Sequence, residues 1–176
     1  MVLALGIGVG TLATTVYERG LNSSGGAGSQ QEESSSQPSA AEYISEVGDL
    51  QNKSVEAFTQ SNERLLRYDT LTADDIKNIS DDYSALSDYN DQVKKLNPPD
   101  EYKSQYALFS SAISELYQAA GIAYQVTSKP TSATLDDFKA YNGHLDSATT
   151  SLQQSNSILG QNYRTTADLP RWRTRV

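Results

Sequence analysis

The chain has 176 residues, of which 22 are acidic and 14 are basic, so its formal net charge is −8. Residues 164–176 contain four arginines and one aspartate, and the rest of the chain therefore carries −11. This acidic surface repels nucleic acid, and the absence of cysteine excludes disulfides, thiol nucleophiles and thiolate metal sites.

Residues 1–21 begin with a run of apolar or small side chains that has no positive charge before it. A helix from Val2 to Tyr17 would be about 24 Å long, whereas a hydrocarbon core needs about 30 Å. We expect a membrane anchor, namely an uncleaved signal-anchor that begins upstream of Met1. A cleaved signal is the second possibility, although the stretch around Ala13 is a poor cleavage site. Burial of this segment as a fifth core helix is disfavoured, because its apolar residues would cover every face of the helix and a long linker follows it.

Residues 22–40 are rich in Ser, Gly and Gln and have almost no side chain that favours burial. They predict a disordered linker, which as a random coil would span on the order of 25 Å. The order of anchor, linker and folded head predicts a bundle at the cell membrane on the extracytoplasmic side. Secretion after signal cleavage is the alternative.

In residues 41–163, apolar side chains recur every three or four positions in four consecutive stretches, which is the spacing of one helix face. Thr72 and Thr134 each precede two carboxylates in a first helical turn, and Pro98 and Pro99 separate the second helix from the third. Short connections between helices of similar length make neighbours antiparallel. The sequence therefore predicts an all-α fold, an antiparallel up-down-up-down four-helix bundle.

Polar residues interrupt the apolar stripes, and two interpretations of them stay open. They could form a buried network that fixes helix register, which is the commoner use, or they could line a small-ligand pocket. The candidate polar residues are Gln51, Asn62, Asn90 and Ser155. Stripe tyrosines that could contribute to the same pocket, although such residues are more often core, are Tyr83, Tyr106, Tyr124 and Tyr141.

The chemical motifs that catalysis needs are missing from the sequence. His144 is the only histidine, and position 141 is a tyrosine where a di-metal bundle site requires a glutamate. Three of the four carboxylate pairs in residues 41–163 are explained by helix first turns, and there is neither a Gly-x-Ser-x-Gly elbow nor a phosphate-binding loop. We therefore predict no enzyme activity, no cofactor and no metal, with His144 at the boundary of the core.

The basic tail, residues 164–176, interleaves Trp172 with arginines. It could contact anionic lipid, a cell-wall polyanion or the acidic bundle itself. We expect instead a solvated, disordered chain end.

The segment between the second and third helices reads Leu96-Asn-Pro-Pro-Asp-Glu-Tyr-Lys-Ser-Gln-Tyr-Ala-Leu-Phe109. It resembles a Pro-Pro-x-Glu-Tyr pattern that enters a long helix in small helical-bundle proteins and lipoproteins exported by Gram-positive bacteria. Those proteins often have a histidine a few residues later, where Tyr106 stands here, and many have a lipidated cysteine that this chain lacks. The resemblance implies an extracytoplasmic, non-enzymatic bundle and carries no functional residues across.

The leading hypothesis is a membrane-tethered extracytoplasmic bundle that acts as a binding or interaction module. Its partners would be the membrane, through residues 1–21, and an unknown protein or cell-envelope component, but no nucleic acid. One alternative is an extracytoplasmic small-ligand sensor or carrier bundle. Another is a structural or filament-assembly subunit.

Overall fold

A computed structural model describes residues 37–129 and 133–173. Within these ranges the regular structure is helical, and the long helices are α1 (Ala40–Leu65), α2 (Ala73–Val93), α3 (Lys103–Ser128) and α4 (Leu135–Leu159). Short 3-10 turns at Tyr68–Thr70 and Asp100–Tyr102 lead into α2 and α3. The predicted all-α, up-down-up-down four-helix bundle is confirmed.

The predicted anchor, residues 1–21, and the linker up to residue 36 lie outside the described residues. Among the helices that are described, we find none with the length and apolar character needed to cross a bilayer.

Side-chain caps fix where three of the helices begin. Thr72 and Thr134, which the sequence predicts as caps, each form a reciprocal capping box with the aspartate three residues later. A third capping box, between Ser39 and Glu42, begins α1. The predicted linker is therefore wrong at its end, because residues 37–40 belong to the folded body; the Gln37 side chain also donates to the Pro98 carbonyl at 2.8 Å.

The four helices approach one another unequally. The most extensive contact joins α3 to α4, followed by α2 with α3 and α1 with α2, and α1 also approaches α3. By contrast, the backbones of α1 and α4 scarcely come close. The core lies mainly around α3, whose buried alanines allow close helix approach: Ala112, Ala119, Ala120 and Ala123.

The open side between α1 and α4 is filled by residues 161–173, which we name the strap. Gly160 ends α4 with a left-handed φ of 62°, and the chain then turns back. The strap runs antiparallel to α4 and ends at Trp172, which is only 3% exposed. The prediction of a solvated tail is therefore wrong for residues 164–173, because the space between α1 and α4 provides a pocket for the indole ring.

Candidate functional site

The α1/α4 groove is the space between these two helices that holds the strap, and its α1 wall binds the strap main chain. Gln51 Nε2 donates to the Arg164 carbonyl at 2.7 Å, and Asn62 Nδ2 donates to the Pro170 carbonyl at 3.2 Å. The Tyr141 hydroxyl of α4 donates to Asn62 Oδ1 at 2.8 Å. Burial raises the pKa of the Tyr141 phenol far above its ordinary value, so this group remains a hydrogen-bond donor.

The α4 wall binds the strap in the same manner. Asn142 pairs with both main-chain groups of Trp172, accepting from its N–H at 3.0 Å and donating to its carbonyl at 2.8 Å. Asn156 Nδ2 donates to the Tyr163 carbonyl at 2.9 Å. Because these amides contact main-chain atoms, which every residue has, this part of the recognition does not depend on the strap's side chains.

An aromatic pocket at one end of the groove receives the indole of Trp172. Its ring stacks on Phe138 at a centroid distance of 3.6 Å. Tyr68 and Tyr141 contact it edge-on, each with centroids 5.7 Å away. A buried tryptophan surrounded by three rings provides the large apolar anchor that the main-chain hydrogen bonds lack.

The strap has one ion pair with the groove rim. Arg171 Nε lies 2.8 Å from Asp146 Oδ1, and a terminal guanidinium nitrogen of the same side chain lies 2.7 Å from it. The pair is exposed to solvent, so it contributes little to affinity and acts mainly on the orientation of the chain.

Two acceptors in the groove are left without donors by the strap. Among the described residues, Gln51 Oε1 and Asn156 Oδ1 are buried atoms with no hydrogen-bond partner, whereas Asn142 uses both ends of its amide. A buried acceptor without a donor costs about 1–3 kcal/mol. The groove therefore has more capacity for main-chain N–H groups than the strap uses.

A second set of buried polar side chains joins three helices at the start of α1. The Tyr43 hydroxyl donates to Gln105 Oε1 at 2.6 Å, and Gln105 Nε2 donates to Ser155 Oγ at 2.8 Å. Burial raises the pKa of Tyr43 far above its ordinary value. The chain of hydrogen bonds connects α1, α3 and α4, which is the arrangement expected of residues that fix helix register.

Six of the eight candidate residues are thus divided among several places in the bundle. Gln51, Asn62 and Tyr141 lie in the α1/α4 groove, and Ser155 lies in the polar chain with Gln105. The other two are separate, since Asn90 is buried on α2 and Tyr106 is half-buried on α3. Four open cavities of about 330 to 410 Å³ on the described surface are lined by none of these six residues, but the remaining candidates, Tyr83 and Tyr124, line one of them.

Sequence reasoning missed the residues that dock the strap from α4. Asn142 and Asn156 lie just beside the apolar stripe that contains Tyr141 and Leu145. The only clue to them in the sequence is that each is an amide beside a predicted buried position. Many exposed helix residues have the same position, so this clue does not single them out. Gln105 was also missed, although it lies three residues after Tyr102, at the spacing of one helix face.

His144 lies across the α3–α4 contact from Glu115, with Nδ1 2.6 Å from the carboxylate Oε2. Both side chains are partly exposed, as expected at the boundary of the core. In the described ranges no cluster of three or more His, Cys, Asp or Glu residues has the geometry of a metal site.

Comparison with protein-family models, with curated protein sequences and with solved structures finds no match to this chain.

Proposed function

We propose that this chain is a non-catalytic binding module that holds an extended polypeptide segment in the α1/α4 groove. The bundle would be tethered by the N-terminal residues to the extracytoplasmic face of the cell membrane. The observation that carries the proposal is the pairing of Asn142 with both main-chain groups of Trp172. It is the contact that a receptor makes with an extended peptide.

Main-chain hydrogen bonds combined with one deep aromatic pocket are a general mode of peptide recognition. The main-chain contacts hold the segment extended, and the pocket of Phe138, Tyr68 and Tyr141 selects a large ring at one position. In this proposal the strap is the resident occupant, and a partner segment must displace it. The unpartnered acceptors of Gln51 and Asn156 favour a partner that presents N–H groups to them.

The proposed location is supported by the order of the N-terminal parts in the sequence. An apolar stretch precedes a predicted linker with almost no apolar side chain, and the folded body follows by residue 37. The resemblance of residues 96–109 to exported bundle proteins points to the same compartment.

The alternative of a small-ligand sensor or carrier has less support. Its proposed ligand residues Gln51, Asn62 and Tyr141 bind the strap or one another, and Ser155 binds Gln105. These contacts occupy the donors that a small ligand at these residues would need. The structural-subunit alternative stays a prediction.

Peptide binding is tested with a fluorescent synthetic peptide of residues 161–176 and the full chain carrying Trp172→Ala. This substitution empties the aromatic pocket of the chain's own ring. The variant should bind the peptide at least about tenfold more tightly than the wild-type chain does, because the strap competes less well. A peptide with alanine in place of the tryptophan is the matched control and should not bind.

Circular dichroism shows whether the Trp172→Ala chain remains helical, and a Trp172→Leu chain is used if it does not. A helical variant that shows no saturable binding of the wild-type peptide would contradict the proposal. Equal binding of both peptides would also contradict it, because the pocket would then select nothing.

The proposed location is tested by cysteine labelling, since the native chain has no cysteine. Ser157→Cys places a thiol on the exposed face of α4, and Ser155→Cys places one in the buried core. A membrane-impermeant maleimide should label Ser157→Cys in intact cells, whereas the buried control should react only after denaturation. Labelling of Ser157→Cys only after lysis would show that the bundle is inside the cell.

A further inference from the structure

Three tyrosines form a ring stack on the side of the bundle where α2 packs against α3. Tyr117 and Tyr124 lie seven residues apart on α3, and Tyr83 of α2 stacks on both. The centroid of Tyr83 lies 5.1 Å from that of Tyr117 and 5.3 Å from that of Tyr124, with interplanar angles of 6° and 8°. The Tyr83 and Tyr117 hydroxyls are hydrogen bonded at 2.9 Å. We name these residues the tyrosine stack.

Gly121 lies under the middle ring of the stack. A Cβ at this position would lie 3.4 Å from Tyr83 Cε2, which is ordinary van der Waals contact, so the ring rests on the surface of α3 at this point.

The stack is open at Tyr124, which is 38% exposed. Beside it is a cavity of about 410 Å³ lined by Tyr83, Gly121, Tyr124, Gln125, Ser128 and Lys129. Gln125 directly follows Tyr124, Ser128 lies one turn beyond it at the end of α3, and Lys129 is the residue after the helix. Ring faces thus adjoin an amide, a hydroxyl and an ammonium group on a half-open surface.

This combination fits a sugar ring better than other small ligands. A pyranose has an apolar C–H face that can pack on an aromatic ring and a rim of hydroxyls that hydrogen bond to amide, hydroxyl and ammonium groups. A wholly apolar aromatic ligand would need a more enclosed and less polar cavity. A strongly anionic polymer would be repelled by a chain whose net charge is −8.

We propose that the tyrosine stack and its cavity are a carbohydrate-binding site for a neutral glycan. One pyranose ring packs on Tyr124, and its hydroxyls bind Gln125 and Ser128. The site lies between α2 and α3 and shares no residue with the α1/α4 groove. The test of this site is therefore independent of the test of peptide binding in that groove.

The test uses the full chain with ¹³C-labelled tyrosine rings and follows their NMR signals. The probes are hexamers of β-1,4-linked glucose and of β-1,4-linked N-acetylglucosamine. At least one hexamer should shift the Tyr83 and Tyr124 signals in a saturable manner. The Tyr43 and Tyr141 signals, which come from the core, should stay unchanged.

Three variants separate stacking from a general change in the fold. Tyr124→Ala should weaken binding about tenfold, whereas Tyr124→Phe, which keeps the ring, should bind within about threefold of wild type. Ile158→Ala is the matched control, since Ile158 is another exposed large apolar residue but lies on α4. It should leave binding unchanged.

The source of the glycan is distinguished by sedimentation with the corresponding insoluble polysaccharides. Sedimentation that depends on Tyr124 indicates a polymeric glycan, whereas binding of the soluble hexamers alone indicates a free oligosaccharide, and either result supports the site. The proposal is overturned if neither hexamer gives a saturable shift, or if Tyr124→Ala binds as well as wild type. It is also overturned if p-cresol displaces the glycan at lower concentration than the glycan itself binds, since the site would then prefer aromatic ligands.

Discussion

The two sides of α4 are packed in different ways. On one side α4 packs against α3 in the most extensive helix contact of the bundle, where Gln105 of α3 also donates to Ser155 of α4. On the other side α4 does not pack on α1 but on the strap, which is held by side-chain amides and by Trp172. The first side is an ordinary helix–helix contact, and the second is a groove with a polypeptide in it.

The difference shows what a buried amide in an apolar stripe can mean. A helix pair satisfies its own main-chain groups, so a polar side chain at its contact pairs with another side chain, as Gln105 does with Ser155. An irregular segment such as the strap presents free carbonyls, and buried ones must find donors. Gln51 and Asn62 therefore lie in their stripe where the neighbouring element is the strap and not a helix.

Of the substitutions on the strap side of α4, Trp172→Ala should cause the largest loss of stability. The substitution removes a buried ring and leaves a cavity between Phe138 and Tyr141, and we expect a loss of about 3–5 kcal/mol in the free energy of unfolding. Denaturant unfolding followed by circular dichroism measures it. Trp172→Phe retains a ring and should lose less than half as much. A loss below about 1 kcal/mol for Trp172→Ala would mean that the strap is only loosely attached.

The next largest effect should come from Asn142→Ala, which removes both hydrogen bonds to the main chain of Trp172. We expect a loss of about 2 kcal/mol, because two partly buried hydrogen bonds disappear together. The control is Gln153→Ala, an exposed amide of the same helix, which should change stability by less than about 0.5 kcal/mol. Equal effects of the two substitutions would contradict a specific role for Asn142.

Much of the fold could be predicted because its signals are local. Apolar residues at helical spacing gave the four helices, and the hydroxyl and carboxylate pattern at Thr72 and Thr134 gave two of the capping boxes. The capping box at Ser39 was missed because the serine lies in a stretch whose composition is that of a linker. Composition describes a whole segment, whereas a cap depends on one side chain.

The candidate site could be predicted only in part, since it depends on contacts between residues far apart in the chain. The sequence identified Gln51 and Asn62 as unusual stripe residues but did not reveal that their partners lie more than a hundred residues later. It also gave no reason to bury Trp172, because the arginines around it are typical of a solvated end. Their charges remain at the groove rim while the ring between them is buried.

A smaller effect should separate two glycines that look alike in the sequence. Gly143 is an exposed position of α4 with no atom within 4 Å of a Cβ placed there, so Gly143→Ala should stabilise the protein by about 0.5–1 kcal/mol. At Gly48 of α1, a Cβ would lie 2.7 Å from Tyr163 Cζ of the strap. Gly48→Ala should therefore displace that ring. Its free energy of unfolding should be about 1–2 kcal/mol lower than that of the Gly143→Ala variant.

Thermal unfolding of the two glycine variants side by side measures the difference. Because both substitutions gain the same helix propensity, the difference reports on the contact with Tyr163. The Tyr163 hydroxyl also donates to the Ile44 carbonyl at 3.1 Å, a bond that the displaced ring would lose. Similar stabilisation by both substitutions would show that the strap does not press against α1 at this point.

The smallest expected effect is a loss of stability at low pH in α1 and α4, the two helices that form the groove. Capping hydrogen bonds from Ser39 and Thr134 hold the pKa of the Glu42 and Asp137 carboxyls below their ordinary values at the starts of α1 and α4. A lowered folded-state pKa contributes stability that is present above the unfolded value of about 4 and is lost as pH falls through the folded value. Acid should thus weaken the starts of both groove helices.

Asp137→Asn isolates this contribution from those of other titrating groups. Denaturant unfolding should show the variant less stable than wild type at pH 7, and the difference should shrink as the pH falls below about 4 and the wild-type carboxyl becomes protonated. Asp136→Asn is the matched control, because the neighbouring carboxylate forms only a long surface pair with Lys139 at 3.5 Å. A difference for Asp137→Asn that persists unchanged into acid would mean that its effect is not electrostatic. In that case the cap would fix the start of α4 by shape and hydrogen bonding alone, and the groove would keep its α4 wall in acid.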